Sequence, residues 1–332
     1  MIEPGVFLYL REGTTAAYSV RTLGASGNTL ETSSGIAGSA ITRTAFADAT
    51  LAASTANAGA ESTFTVSFTS AARVPVGGRI ELDFPVVAPS FFVLPTAVVT
   101  SLVNVDATST TISISGTSLR LTIAGQAIAI GAAVSVTFGK IYNPAQQTIG
   151  TFTIRTRHSA GSTLQESTGV AGPVITKTTL PLATTTIVPG SLMGGMVTSL
   201  VVSFANDAFL AVGSKIIVTV PARFRITDSS LGSLTGIPAT GTTAVVTSAT
   251  TIELTLASNT MSPGTGRSFT MANVYNPGSS CDQYIYEYCT TPWEAYSIQI
   301  VDSAGNIYQE NTAVTGTPIL KKPRLSGWIV MD

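Results

Sequence analysis

Residues 152–178 have the sequence FTIRTRHSAGSTLQESTGVAGPVITKT, and this stretch decides the fold. It begins with a run in which apolar and polar residues alternate, the period of two that is typical of a half-buried β-strand. Ala160-Gly161 follows at a hairpin-turn position, and a second run leads to Val170. The segment therefore predicts a β-hairpin.

Two further stretches align with this segment without a gap. Residues 18–44 have the sequence YSVRTLGASGNTLETSSGIAGSAITRT, and residues 296–322 have the sequence YSIQIVDSAGNIYQENTAVTGTPILKK. The copies begin 134 positions apart (18 to 152) and 144 positions apart (152 to 296). Such self-similarity at a nearly fixed period is the signature of a repeat architecture.

The match extends upstream of the second and third copies. Residues 64–68 correspond to 200–204, residues 76–85 to 212–221, and the IYNP sequence at 141–144 to VYNP at 274–277. We therefore predict two complete copies of one domain, residues 45–178 and 179–322. A partial copy, residues 1–44, precedes them, and a tail, residues 323–332, follows.

Each complete copy consists of short alternating runs separated by turn residues. Residues 112–114, 119–123, 134–138 and 252–256 have the period of a strand, and no stretch has a sustained helical period. Several short strands in about 130 residues predict an all-β fold of tandem Ig-like antiparallel β-sandwiches. The Cys…Trp…Cys core of true immunoglobulin domains is absent from the sequence, so the prediction is the sandwich class.

The repeats resemble the Ig-like modules of bacterial adhesins, pilus-type fibres and algal surface proteins. The resemblance rests on the alternation, the Gly-bounded strands and the Tyr-Asn-Pro turn, and it covers nearly the whole chain. Its motifs are generic and point to no named family. The resemblance implies an extracellular or cell-surface protein.

The composition excludes two classes of partner. Charged residues make up 11% of the 332 residues and the formal net charge is −1, so the chain lacks the basic stripe that binds nucleic acid. No apolar run approaches the roughly 20 residues of a spanning helix, so we expect no membrane insertion. Weak surface charge gives little repulsion between copies and favours self-association.

Residues 1–44 are too few to close a core alone, and their strands would offer unpaired backbone groups to another chain. Either the sequence is a truncated piece of a longer repeat protein, or this segment completes a sandwich on a neighbouring copy. The second alternative predicts head-to-tail polymerisation into a filament. Its assembly strand would contain Val6, Phe7, Leu8, Tyr9, Leu10, Tyr18 and Val20.

Only the last copy has a ten-residue insertion, which contains Cys281 and Cys289. The pair predicts a disulfide in an oxidising compartment, and two idle cytosolic thiols are the alternative. Tyr284, Tyr286 and Tyr288 alternate in this segment, and Trp293 follows them. These four aromatic side chains predict a contact with another subunit or with a glycan, or a cover for their own domain.

The tail contains the apolar residues Trp328, Ile329 and Val330. These residues are expected either to pair with a sheet edge of a neighbouring copy or to pack on their own domain.

The sequence offers no arrangement for catalysis. The single histidine, His158, aligns with Gly24 and Asp302 beside a turn, and we expect it to be exposed there. Glu81 and Asp83 share a strand face, but the other copy has Ile217 and Thr219 at these positions, so a solvated face is expected. Two thiolates without a nearby histidine do not complete a metal site. We predict no enzyme activity, cofactor or metal.

These observations predict a structural subunit of an extracellular filament, whose partner is another copy of the chain. A monomeric adhesin stalk that binds surface glycans or proteins through its tyrosine-rich loop is the main alternative. A third possibility is an ancillary β-region of a larger secreted enzyme.

Overall fold

The computed structural model describes residues 13–14, 17–37, 40–46, 48–85, 91–108, 110–228, 230–277, 295–317 and 319. Among these residues the regular structure is β-strand, apart from one 3-10 helical turn at Leu182–Thr184. The predicted all-β fold class is confirmed. Within the described ranges, no helix combines the length and the apolar character needed to cross a bilayer.

The strands of the first half follow one another at short intervals. They are β1 (Gly13–Thr14), β2 (Tyr18–Leu23), β3 (Thr29–Ile36), β4 (Ala40–Ile41), β5 (Thr44–Ala45), β6 (Thr50–Ala53), β7 (Glu61–Thr69), β8 (Arg79–Asp83), β9 (Phe92–Val103), β10 (Thr111–Ser115), β11 (Ser118–Thr122), β12 (Ala133–Tyr142), β13 (Gln147–Thr148), β14 (Phe152–Arg157) and β15 (Thr163–Val170).

The second half has strands of similar length. They are β16 (Val174–Ile175), β17 (Thr178–Thr179), β18 (Thr186–Pro189), β19 (Val197–Asn206), β20 (Lys215–Thr219), β21 (Arg225–Ile226), β22 (Leu231–Thr235), β23 (Thr242–Ser248), β24 (Thr251–Leu256), β25 (Gly264–Tyr275), β26 (Tyr296–Val301) and β27 (Ile307–Val314).

The chain divides into two compact units. Unit 1 comprises Met1–Ser54, Ser62–Ile141 and Ile149–Pro173, and unit 2 comprises Thr55–Glu61, Tyr142–Thr148 and Val174–Asp332. The predicted domain boundaries after residues 44, 178 and 322 remain predictions.

The main sheets of the two units have the same strand order. In unit 1 the six-stranded sheet has the order β10-β11-β8-β14-β15-β5, and the four-stranded sheet has the order β6-β7-β12-β9. In unit 2 the corresponding sheets have the orders β23-β24-β20-β26-β27-β17 and β18-β19-β25-β21, and β22 also pairs with β25. The strands therefore repeat in the order that the sequence alignment predicts.

Along the strands of each sandwich, every second side chain points into the interior. In β14, Phe152 and Ile154 are fully buried, whereas the residues between them are half-buried. The ring of Phe152 lies 6.1 Å from that of Phe64, on the opposite sheet, and 5.5 Å from that of Phe84. In unit 2, Tyr296 takes the place of Phe152 and lies 5.4 Å from Phe224. The start of the last hairpin is thus a core position in both units.

The outer face of the unit 1 sheet corrects one expectation from the sequence. Glu81 does not lie on a solvated face: its side chain is 2% exposed, and its carboxylate pairs with Arg120 at 3.2 Å and Arg157 at 2.5 Å. Asp83 is partly buried and pairs with Arg155. Alternation marks which side chains point outward, but it does not show that long arginine side chains from adjacent strands cover them.

The ion pairs extend to the edge of the six-stranded sheet of unit 1, where β5 is the outermost strand. Arg155 donates to Glu166 at 3.0 Å, and Glu166 also pairs with Arg43. Burial alone would lower the pKa of Arg155, but its contacts with the carboxylates of Glu166 and Asp83 outweigh burial and raise the pKa. Beside this cluster, β5 pairs in parallel with β15.

Unit 2 repeats this entry contact. β17 pairs in parallel with β27, as β5 does with β15, and Lys177 pairs with Glu310. The hydrogen bond from Lys177 lowers the pKa of Glu310. Lys177 and Glu310 occupy the same alignment positions as Arg43 and Glu166. The repeat therefore includes this ion pair and the parallel strand pairing beside it.

Replacing Glu81 by isoleucine, its counterpart in unit 2, should destabilise unit 1. The substitution leaves Arg120 and Arg157 near the sheet without their carboxylate, and we expect a loss of about 2–3 kcal/mol, reduced by their partial exposure. Adding Arg157→Val, which copies Val301, should recover most of the loss. Urea unfolding measures both variants, and equal stability of Glu81→Ile and wild type would contradict the role of these pairs.

Tyr296→Phe should stabilise unit 2. The side chain is 1% exposed, and within the described residues its hydroxyl has no hydrogen-bond partner. Removing a buried unsatisfied hydroxyl should add about 1–2 kcal/mol to the free energy of unfolding at neutral pH. Urea unfolding of the wild type and the variant measures the difference, and a destabilised variant would contradict the assignment.

The same variant should also change the response to alkali. Burial raises the pKa of Tyr296, so the folded chain holds the phenol proton more tightly than the unfolded chain does. Titration of Tyr296 therefore leaves the free energy of unfolding unchanged below the pKa of an exposed tyrosine, about 10, and lowers it as the pH rises above that value. Tyr296→Phe should therefore lose less stability between neutral pH and about pH 11. Tyr308, whose pKa burial raises to about 12, should account for sensitivity that remains.

Candidate assembly site

The N-terminal hairpin consists of β2 and β3, which form a two-stranded sheet. Tyr18 pairs with Ile36 and Arg21 pairs with Thr32 across the hairpin. The turn closes through a 2.7 Å hydrogen bond from the amide of Gly24 to the carbonyl of Asn28. In the part of the chain that the structure describes, neither strand pairs with another sheet.

This hairpin lies open to solvent along both strands. Every residue of β2 and β3 is exposed, including four large aliphatic side chains, Val20, Leu23, Leu30 and Ile36. Val20 is 58% exposed, Leu23 59% and Leu30 64%. An isolated two-stranded hairpin is only marginally stable unless its apolar face packs against another element. We therefore expect the apolar side chains of this hairpin to be covered by a partner.

The repeat alignment shows what covers the same positions elsewhere. The hairpin residues Val20, Leu23, Leu30 and Ile36 correspond in unit 2 to core residues of β26 and β27. These counterparts are Ile298 (0% exposed), Val301 (3%), Tyr308 (3%) and Val314 (0%). Ile36 itself is 39% exposed. The N-terminal hairpin thus has the side chains of a sandwich core without the sandwich.

The segment between the hairpin and the six-stranded sheet of unit 1 also follows the repeat. β1 pairs with β4 through Gly13 and Ile41, as β13 pairs with β16 through Gln147 and Ile175 one repeat later. The chain then enters the unit 1 sheet through β5. The hairpin and the segment that follows it therefore have the same strand pairing as the C-terminal part of a complete repeat.

The predicted assembly residues fall partly within the described chain. Tyr18, which is 37% exposed, and Val20 lie on β2, and their role in assembly remains a prediction. The others, Val6, Phe7, Leu8, Tyr9 and Leu10, lie outside the described residues. Leu23, Leu30 and Ile36 were missed, although their alignment with Val301, Tyr308 and Val314 would have identified them.

The remaining predicted sites also lie outside the described residues. They are the cysteines Cys281 and Cys289, the loop residues Tyr284, Tyr286, Tyr288 and Trp293, and the tail residues Trp328, Ile329 and Val330. The predicted disulfide, interface loop and tail contact remain predictions.

His158 belongs to a turn and is partly buried, not exposed as the sequence suggested. Its Nδ1 accepts a hydrogen bond from the amide of Ala160 at 3.1 Å. The counterpart Asp302 accepts a bond from the amide of Ala304 at 2.7 Å. The residue at this position therefore stabilises the hairpin turn, which is a structural role.

The described residues bring together no group of three His, Cys, Asp or Glu side chains suited to a metal ion. An open groove in unit 1 is lined by Pro95, Ala97, Ile112, Ser113 and Ile114. This lining has no titratable side chain, so it holds no acid or base beside the hydroxyl of Ser113. Among the features of the described chain, the exposed hairpin is the strongest candidate for a binding surface.

Comparisons with known proteins reach only the level of the fold. No protein-family model matches the chain, and no curated protein matches it. One solved structure that resembles it is the type II cohesin dyad from the adaptor scaffoldin ScaA of Acetivibrio cellulolyticus. It has 12% sequence identity and a TM-score of 0.24, and the match covers 83% of this chain and 99% of the other.

Two further solved structures also resemble the chain. Collagen adhesin (CNA) from S. aureus has 12% identity and a TM-score of 0.22, covering 83% of this chain and 100% of the other. A protein of Corynebacterium diphtheriae described as membrane anchored has 10% identity and a TM-score of 0.25, covering 94% and 96%. Because the TM-scores are low, the β-sandwich assignment rests on the strand pairing of this chain itself.

Proposed function

We propose that the chain is a structural subunit of an extracellular filament or surface fibre. The N-terminal hairpin of one copy pairs with, and is covered by, a sheet of the next copy. The observation that carries the proposal is the exposure of Val20 and Ile36, whose unit 2 counterparts are fully buried. A contact between two different surfaces of identical copies is heterologous, and it propagates into an open chain unless it closes into a ring.

Two kinds of interaction contribute to the free energy of such a contact. Because Val20, Leu23, Leu30 and Ile36 are 39–64% exposed, covering them contributes about half of the 1.5–3 kcal/mol for full burial of each, or roughly 3–7 kcal/mol together. Association costs an estimated 4–15 kcal/mol, so burial alone gives a weak complex. Backbone hydrogen bonds along the open edges of β2 and β3 supply the remainder. The low surface charge of the chain adds little repulsion between copies.

An extracellular location agrees with the predicted disulfide between Cys281 and Cys289. The alternative, an adhesin stalk that binds a glycan or a protein through Tyr284, Tyr286, Tyr288 and Trp293, rests on the loop of residues 278–294, outside the described residues. It is a separate outcome of the experiment below.

Val20→Asp in the full chain should prevent assembly. The substitution places a charge where the counterpart Ile298 is fully buried, so a covered hairpin would have to bury an unpaired carboxylate. Because Val20 is exposed in the single chain, the variant should keep the wild-type melting temperature. Sedimentation velocity over a concentration series and negative-stain microscopy measure the loss of filaments.

Ser19→Asp is the matched control, since Ser19 neighbours Val20 and its counterpart Ser297 is half-buried at the outer face of its sheet. It should assemble as the wild type does. Equal behaviour of the two variants would contradict hairpin-driven assembly. A full chain that stays monomeric at high concentration would reject the filament and favour the adhesin stalk.

A further inference from the structure

The Tyr-Asn-Pro sequences build the same platform in both repeats. The side-chain amide of Asn143 donates to the carbonyls of Thr55 and Asn57, each at 3.0 Å. One repeat later, Asn276 makes the equivalent two bonds at 2.7 and 3.1 Å. Both asparagines therefore hold the loop that precedes the second strand of a domain against the Tyr-Asn-Pro turn. The loop is fixed before any partner binds.

In unit 2 the first platform is covered. The carbonyl of Gly59 accepts a 2.8 Å hydrogen bond from the amide of Phe209. The ring of Tyr142 stacks on that of Phe209, with centroids 4.6 Å apart and planes at 18°. A Cβ atom on Gly59 would lie 2.4 Å from the Cβ of Ala208, so this contact requires a glycine on one side and a small residue on the other.

The second platform has the same parts and is open in the described chain. Gly195 stands at the position of Gly59, and a Cβ atom there would meet nothing within 4 Å. Tyr275 stands at the position of Tyr142 and is 45% exposed. Met193 and Met196, which flank the glycine, are 39% and 42% exposed. Tyr275, Met193 and Met196 thus lie exposed around Gly195, whereas the counterpart Gly59 is in close contact with Ala208.

The chain also contains a second copy of the loop that covers the first platform. Residues 71–74 align with residues 207–210, and both loops are held in the same way. Val74 forms an isolated bridge with Ile128, as Leu210 does with Met261. The side-chain oxygen of Gln165 accepts a 2.7 Å bond from the amide of Ala71.

The counterpart of this last bond is present in unit 2. The side-chain oxygen of Gln309 accepts a 3.0 Å bond from the amide of Asp207. The two loops are therefore presented alike by their sheets.

We propose that the open platform, formed by Met193, Gly195, Met196 and Tyr275, binds the loop 71–74 of a second copy of this chain. Ala72 takes the position of Ala208 and preserves the small residue that the close approach requires. Arg73 takes the position of Phe209, and its guanidinium stacks on the ring of Tyr275. The inference rests on the proposed head-to-tail assembly and names one contact within it.

Charge reversal at Arg73 and truncation of Tyr275 test the contact in the full chain. Arg73→Glu and Tyr275→Ala should each weaken self-association, measured by sedimentation velocity, by about 2- to 30-fold. The double variant should lose less than the product of the two single losses, because both remove one contact. Lys140→Glu, which reverses an exposed charge on β12 of unit 1 and is part of neither the loop 71–74 nor the open platform, should associate as the wild type does.

Arg73→Phe is the informative rescue. It copies Phe209, rebuilds the ring pair seen between Tyr142 and Phe209, and should therefore associate about as well as the wild type. Association that is unaffected by Tyr275→Ala would overturn the inference. Sensitivity to Tyr275→Ala, with Arg73→Glu no different from Lys140→Glu, would also overturn it, because another segment would then occupy the platform.

The outcomes separate this contact from the hairpin contact. If Val20→Asp abolishes assembly while the Arg73 and Tyr275 variants assemble normally, the filament proposal stands and this inference fails. If the Arg73 and Tyr275 variants lose association while Val20→Asp keeps it, the platform contact stands and the hairpin contact fails. A wild-type chain that never associates rejects both.

Discussion

Each sandwich depends on burying one aromatic side chain at the start of its last hairpin. Phe152 packs against Phe64 of the facing sheet, and Tyr296 packs against Phe224. The backbone comes close to both rings: a Cβ atom on Gly172 or Gly316 would lie 2.3 or 2.2 Å from a ring carbon. A larger residue at either glycine would displace the ring, because a close-packed interior has no room to absorb it. The hairpin and the glycine that follows it therefore form one packing unit.

This constraint explains why the N-terminal hairpin differs from its two counterparts. Its strands have the same register and turn, so the local sequence is enough to form them. What the hairpin lacks in the described chain is the facing sheet, which in units 1 and 2 comes from residues earlier in the same domain. Local pairing and sandwich closure are thus separate steps, and only the second requires another part of the protein or another copy.

The sequence predicted the fold class, the strand positions and the repeat, because a two-residue period with regularly spaced turns is a local signal. It failed where the answer depended on contacts between strands. Glu81 and Ile217 occupy equivalent positions, and the burial of Glu81 depends on Arg120 and Arg157 from two adjacent strands. The Tyr-Asn-Pro motif was recognised as a turn. The role of Asn143 could not be seen, because it binds a loop more than 80 positions earlier in the sequence.

Comparing the repeats separates what the fold requires from what one copy adds. The core ring, the asparagine that holds the platform and the basic residue paired with Glu166 or Glu310 occur in both units, so they belong to the architecture. The arginine and carboxylate pairs around Glu81 occur only in unit 1, and unit 2 has an aliphatic residue at that position. A feature that is present in every copy but left uncovered in one of them is different from both classes. The exposed hairpin is of this third kind, and so is the platform at Tyr275. In each case a surface lacks, among the described residues, the cover that its counterpart has, and the proposals above assign that cover to a second copy of the chain.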